Sequence, residues 1–277
     1  MEKTQIVNAL RIKIEKLGIS QNESAKRIGI SAATLSNILS GKWENITDAW
    51  RVCEQWLGSM LSSWVAADIA NYKIVTRLCQ QAQEAQSSKA ISYQPASGKT
   101  FAAKQYAQEH QNTFYVGAVG DMTKRQFLAA LCTAMGVVPS YAVSEMLADV
   151  ITKLKVLNNP LIIVDEFDEL KDNAMRIFKD LYNAVGCGFV LIGGLNFKNR
   201  ILRGATRQKQ SYQEILSRIG KEFYELRTID NGAITKVVNA NGINDKDQVN
   251  EILTAAQGDL RRVKALVEAI RNQQKTA

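Results

Sequence analysis

A chain of 277 residues exceeds one ordinary core and suits a medium domain joined to a small one. With 46% hydrophobic and 22% charged residues it is not a disordered chain. Its single histidine, His110, excludes a histidine-built zinc site and all but excludes a Ser-His-Asp triad, while a net charge of +8 favours a polyanionic partner.

Other exclusions follow from spacing. Cys53, Cys79, Cys132 and Cys187 lie far apart with no CxxC pair, so neither a zinc ribbon nor a disulfide framework is expected. No apolar run approaches the roughly 20 residues needed to span a bilayer, and no signal-peptide core opens the chain. The expectation is a reduced, cytoplasmic protein with no membrane contact.

All four tryptophans (Trp43, Trp50, Trp56, Trp64) precede residue 65 and all three prolines (Pro95, Pro139, Pro160) follow it, which predicts two folding units. Up to about residue 65 the pattern is of short helices. Ile6, Leu10 and Ile14 recur at helical spacing, with a break at Leu17-Gly18. Within Gln21–Leu39, Ala25 is a small residue where two helices must cross closely, Gly29 ends the first helix, Ile30 plugs the turn and Ser31 caps the second helix. That second helix buries Leu35 and Ile38 and presents Ala32, Ala33, Thr34, Ser36 and Asn37. Thr34, Ser36 and Asn37 can reach base edges or phosphates in a major groove, the reading preferred over a plain three-helix bundle.

Residues 66–82 read as a helix, and the polar run from Gln80 to Ser88 as exposed surface or a loop. From residue 89 strands alternate with helices. Apolar runs at 90–93, 113–117, 161–164 and 189–192, with a weaker fifth at 223–226, are separated by amphipathic patterns near 101–109, 123–135, 143–157 and 173–185. Such alternation predicts βαβ units and an α/β fold with a mainly parallel sheet. After residue 231 only helical patterns remain. The expected domains are 1–65 (helix-turn-helix), 66–230 (α/β core) and 231–277 (helical subdomain).

The strand at 90–93 runs into Gln94-Pro95-Ala96-Ser97-Gly98-Lys99-Thr100-Phe101, the second half of a P-loop. Gly98 lets the backbone approach phosphate, Lys99 reaches the β- and γ-phosphates of ATP, and Thr100 offers a hydroxyl to Mg²⁺. Tyr93 and Ala96 stand where such loops often have glycine, so the expectation is nucleotide binding with slow hydrolysis. Leu161-Ile162-Ile163-Val164-Asp165-Glu166 supplies the matching Walker B pattern. Asp165 would hold Mg²⁺ and Glu166 would activate the attacking water. Asn196, after the 189–192 run, would meet the γ-phosphate or the lytic water. Arg218 suits an arginine finger toward a neighbouring subunit, and Arg261 a phosphate sensor from the lid. Between Asn196 and Ser211 lie Lys198, Arg200, Arg203, Arg207 and Lys209 with no acid. This stretch reads as a mobile loop tracking the phosphate backbone of DNA, or otherwise as a plain solvated loop.

The order of these parts resembles the phage Mu transposition protein B (MuB) family, related to the TnsC- and IstB-type target-selection ATPases. The resemblance is carried by Gly98-Lys99-Thr100, Asp165-Glu166, Ser217-Arg218-Ile219 and Gly258-Asp259-Leu260-Arg261. It implies an AAA+ core that binds double-stranded DNA without sequence preference. It further implies a homo-oligomeric helical filament that selects target DNA and stimulates a transposase. Two rival readings stay open: a nucleotide-sensing helix-turn-helix transcriptional regulator, and an ATPase resembling helicase loaders.

Overall fold

The computed structural model describes residues 3–43, 48–57 and 64–276. The chain divides into two compact units, one on Met1–Trp64 and Gln108–Gln111 and the other on Val65–Ala107 and Asn112–Ala277. Among the described residues, no helix is long and apolar enough to cross a membrane.

The first unit contains α1 (Lys3–Leu17), α2 (Gln21–Ile28), α3 (Ala32–Ser40) and α4 (Ala49–Leu57). Ser20 and Ser31 cap α2 and α3, their hydroxyls accepting from Glu23 N and Thr34 N. Gly29, at φ 85°, ends α2 in the left-handed conformation that glycine adopts without a Cβ clash. Leu10, Leu35, Ile38 and Cys53 form the fully buried centre of this unit. Trp43 and Trp50 meet edge to face at 5.6 Å beside it.

The second unit is a four-stranded parallel sheet in the order β1-β4-β3-β2, with β1 at Ser88–Ser92, β2 at Thr113–Gly117, β3 at Leu161–Asp165 and β4 at Gly188–Gly193. Every residue of β3 and β4 is buried, as expected of a parallel sheet covered on both faces. Period-two alternation supplies two separate cores. Ala90, Ile162, Val164, Phe189 and Leu191 pack under α7 (Lys124–Ala134), α8 (Val143–Lys155), α9 (Asp172–Val185), α10 (Leu195–Thr206) and α11 (Gln210–Arg218). Ile91, Leu161, Ile163, Val190 and Ile192 pack under α5 (Ala70–Glu84) and α6 (Lys99–Glu109). The chain ends in α12 (Asn231–Ala240), α13 (Lys246–Ala256) and α14 (Leu260–Thr276).

Three expectations change. The polar run after residue 80 is largely helix, because Cys79 and Ala82 are wholly buried against the sheet while Gln83 accepts from the Tyr106 hydroxyl. The fifth strand shrinks to one parallel bridge between Ile91 and Tyr224. There the buried Asn71 takes the chain away from β1, its amide bonding both Arg227 N and Arg227 O at 2.8 Å. Finally, residues 196–211 form not a mobile loop but α10, a turn and the start of α11. Phe197, Ile201 and Gly204 bury one helical face beneath the basic side chains.

Candidate functional site: a P-loop beside paired acids

The loop from Tyr93 to Lys99 leaves β1 at the carboxyl end of the sheet, where α/β folds place their ligands. It is held from several sides. Asn71 donates to Ser97 O at 3.2 Å, Ser97 Oγ donates to Gln94 O at 3.0 Å, and Leu260 N donates to Ala96 O at 3.2 Å. A Cβ on Gly98 (φ 88°) would lie 3.3 Å from Leu260 Cδ1, so the glycine permits both the turn and the close approach of α14. Pro95 and Gln94 are exposed, Thr100 and Phe101 half-buried, and the Phe101 ring lies 6.4 Å from that of Tyr72.

Ala96 sits at φ 60°, a left-handed conformation that costs a residue with a Cβ about 1–2 kcal/mol. Ala96→Gly is expected to relieve that strain against about 0.5–1 kcal/mol of added unfolded-state entropy, for a net gain of about 0.5 kcal/mol. A higher urea midpoint with unchanged slope checks it. A lower midpoint would show that the loop does not strain this residue.

Lys99 is 7% exposed and donates to Tyr93 O at 2.8 Å, Gln94 O at 2.7 Å and Ser97 Oγ at 3.4 Å. Burial lowers its pKa; Asp165 and Glu166 pull it back up, and Arg261 lowers it further. Asp165, 1% exposed, ends β3. Its Oδ2 accepts from the Tyr115 hydroxyl at 2.9 Å and its Oδ1 from Glu166 N at 3.0 Å. Glu166 follows at φ 52°, a strained backbone of the kind that gathers at functional sites. Burial raises its carboxyl pKa, reinforced by Asp165 and Asp168 and opposed by Lys99.

The structure thus brings Lys99, Asp165, Glu166 and Arg261 into one electrostatic cluster, with Arg261 exposed at the start of α14. Asn196 is exposed on the first turn of α10 and lines a neighbouring groove. Arg218 points elsewhere in its own chain. It donates to Glu214 O at 3.0 Å and Asn183 Oδ1 at 2.8 Å, its guanidinium 5.5 Å from the Tyr182 ring centre.

Sequence reasoning missed Tyr115 and Asp168. Tyr115 lies two residues before Gly117, the residue in register with Asp165, and that alternation is its signal. Asp168 accepts from Gly194 N at 3.3 Å, tying the acid segment to the end of β4. Its signal is the third acid of Asp165-Glu166-Phe167-Asp168.

The donor set fits Mg²⁺. Thr100 and Asp165 are hard oxygen donors, and the acids outnumber the nearby cations Lys99 and Arg261. Among the described residues no group of three or more His, Cys, Asp or Glu could cage a metal alone.

The cationic residues are divided. Lys198 pairs with Glu225 at 3.2 Å and Lys209 with Asp172 at 3.4 Å, Arg200 is held in a network, and Arg203 and Arg207 are exposed. In the first unit Ser36 and Asn37 are exposed on α3, whereas Thr34 is half-buried with its hydroxyl 2.7 Å from that of Ser31.

Fold and site define an AAA-domain protein with an N-terminal helix-turn-helix. Family models agree: an AAA domain matches residues 83–201 and a helix-turn-helix matches residues 10–48. The chain is also similar to the Mu-like prophage FluMu DNA transposition protein B of Haemophilus influenzae, 22% identical over 267 residues, or 92% of this chain and 93% of the relative. That similarity runs over nearly the full length of both chains and includes both the helix-turn-helix and the AAA segment.

Proposed function

We propose that this protein is an Mg²⁺-dependent ATPase that assembles on double-stranded DNA without sequence preference, marks it as a transposition target and stimulates a transposase. The observation that carries the reading is the cluster of Lys99, Asp165 and Glu166, joined in one chain to a helix-turn-helix.

Pro95 to Phe101 form the nucleotide cradle, in which Lys99 would exchange its carbonyl partners for phosphate oxygens. Thr100 and Asp165 would hold Mg²⁺, which neutralises charge on the β- and γ-phosphates when bound. Tyr115 fixes the Asp165 carboxylate for that task. Glu166 orients a water and accepts its proton as the water oxygen bonds to the γ-phosphorus. The bond to the bridging oxygen breaks, releasing ADP and phosphate. Arg261 closes the helical lid onto the phosphates, and Asn196 steadies the γ-phosphate or the water. Arg218 lies away from its own chain's acid cluster, which supports a role toward a neighbouring subunit. Lys198, Arg203, Arg207 and Lys209 contact DNA phosphates, with Ser36, Asn37 and secondarily Thr34 as the second DNA surface.

Electron microscopy on random-sequence duplex tests this. Wild type should form ATP-dependent oligomers that coat the duplex in proportion to its length, and Lys99→Ala should not. If ATP promotes no oligomer on DNA, the proposal fails. A protected footprint confined to one sequence would favour a transcriptional regulator instead, the reading supported by the exposed Ser36–Asn37 face of α3.

A further inference from the structure

We infer that Arg200 is a positioning residue for the segment carrying Glu166, and not a phosphate contact of the basic helix. The inference rests on the ATPase reading above for the identity of Glu166 as the catalytic base. It rests on hydrogen bonding within the chain for everything else.

Arg200 projects from α10 toward the residues that follow β3. Its Nη1 donates to Asp168 O, and its Nη2 to Leu170 O at 2.9 Å and Asp172 Oδ1 at 2.8 Å. Its Nε donates to the Tyr212 hydroxyl at 3.3 Å, and that hydroxyl donates to Asp172 Oδ1 at 2.5 Å. A guanidinium has five N–H donors in a fixed fork, and this one commits four of them inside the protein. A phosphate could be gripped only by breaking these bonds.

What the fork holds is specific. Phe167–Glu169 is a single short turn, closed by Glu169 N to Glu166 O at 2.8 Å and Leu170 N to Phe167 O at 3.2 Å. Its carbonyls at Asp168 and Leu170 have no helix to satisfy them, and Arg200 fills both roles. Glu166 opens this turn at a positive φ, a conformation that persists only when its surroundings impose it. Asp172 anchors the far end: its pKa is lowered by the Tyr212 and Arg200 hydrogen bonds and by Lys209, although burial opposes the shift.

Arg200 also borders a groove of about 360 Å³ lined by Arg203, Arg207 and Lys209. One side chain therefore touches both the turn that carries Glu166 and the basic surface assigned to DNA.

The test compares Arg200→Gln, Arg200→Lys and Arg203→Gln in the full chain, using a short random-sequence duplex and ATP. Arg200→Gln should lower kcat by about tenfold or more, with KM and nucleotide affinity changed less than about threefold. The amides of Glu169 and Leu170 should exchange faster with deuterium. The salt dependence of duplex binding should stay as in wild type, whereas Arg203→Gln should reduce its log–log slope by about 0.9. Arg200→Lys keeps the charge but loses the fork, so it should match Arg200→Gln in exchange and kcat. If Arg200→Gln proves unstable, Asp172→Asn weakens the same clamp from its far side and should raise the same amide exchange. Overturning results are a salt slope reduced as in Arg203→Gln, or unchanged exchange at Glu169 and Leu170. If the wild-type protein does not hydrolyse ATP, the ATPase reading fails, while the exchange and salt measurements still decide the place of Arg200.

Discussion

Glu166→Gln is expected to lower ATP turnover by about 10²–10⁴-fold while leaving Mg²⁺-ATP bound and the DNA-bound assembly intact. The amide keeps the size and the backbone of Glu166 but cannot take a proton from the attacking water. Lys99, Thr100 and Asp165, which the proposal assigns to binding, are untouched. On the proposed reading Glu166 also sets the pH profile. Its carboxyl pKa is raised by burial, then by Asp165 and Asp168, and a base must be ionised to work. Turnover by wild type should therefore fall on the acid side at a pH above the ordinary carboxylate range, and that limb should vanish in the glutamine variant. Single-turnover hydrolysis measured across pH checks both statements. Unchanged turnover in Glu166→Gln would remove the residue from its role, and disassembly at the wild-type rate would uncouple hydrolysis from release.

The features legible from sequence were those written in short, local patterns. Gly29 at the left-handed end of one helix, Ser31 at the start of the next, and Leu161–Val164 as an unbroken apolar run each declare their conformation within a few residues. Gly98-Lys99-Thr100 and Asp165-Glu166 were readable for the same reason, since a phosphate loop and a strand-end carboxylate pair are contiguous in the chain. What stayed hidden depends on residues far apart. The large buried apolar side chains of α10 are Phe197 and Ile201, and the charges between them conceal a helical period. The fifth strand is curtailed by Asn71, 156 residues from the Arg227 backbone it binds. Tyr115 reaches Asp165 only because β2 and β3 are paired in register; the alternation that puts Tyr115 on the face of Gly117 is local, but the pairing of the two strands is not.

Charge shows the same division. A sum of +8 says nothing about which cations are free. Lys198, Arg200 and Lys209 look identical to Arg203 and Arg207 in the sequence, yet the first three are engaged by Glu225, Asp172 and the carbonyls of the acid turn. Asp172 precedes these basic residues by more than a helix, and only the packing of α9 against α11 brings it among them. Five basic residues read as one loop thus separate into two with free charge, two in surface pairs and one bound into the turn that carries Glu166.

Gly188→Ala should be the most damaging small substitution in the sheet, costing about 3 kcal/mol of stability. Gly188 begins β4 under the last turn of α5, and an added Cβ would lie 2.3 Å from Ala82 O and 2.9 Å from Ala82 C. These are backbone atoms of a wholly buried residue, so no side chain can rotate aside. The Ala82 carbonyl also accepts from Ser87 N at 3.1 Å, the bond that turns the chain from α5 into β1. Displacing α5 would further disturb Asn71, which opens that helix and braces Ser97 in the phosphate loop. The comparison is Gly186→Ala, two residues earlier, where a Cβ meets nothing within 4 Å and only the left-handed φ of 65° is penalised, at about 1 kcal/mol. Urea unfolding should place Gly188→Ala well below Gly186→Ala, both with the wild-type slope. Equal midpoints for the two variants would mean that α5 does not rest on β4 at this residue. The contact matters beyond stability, because the same helix that Gly188 admits to the sheet positions the asparagine beneath the nucleotide cradle.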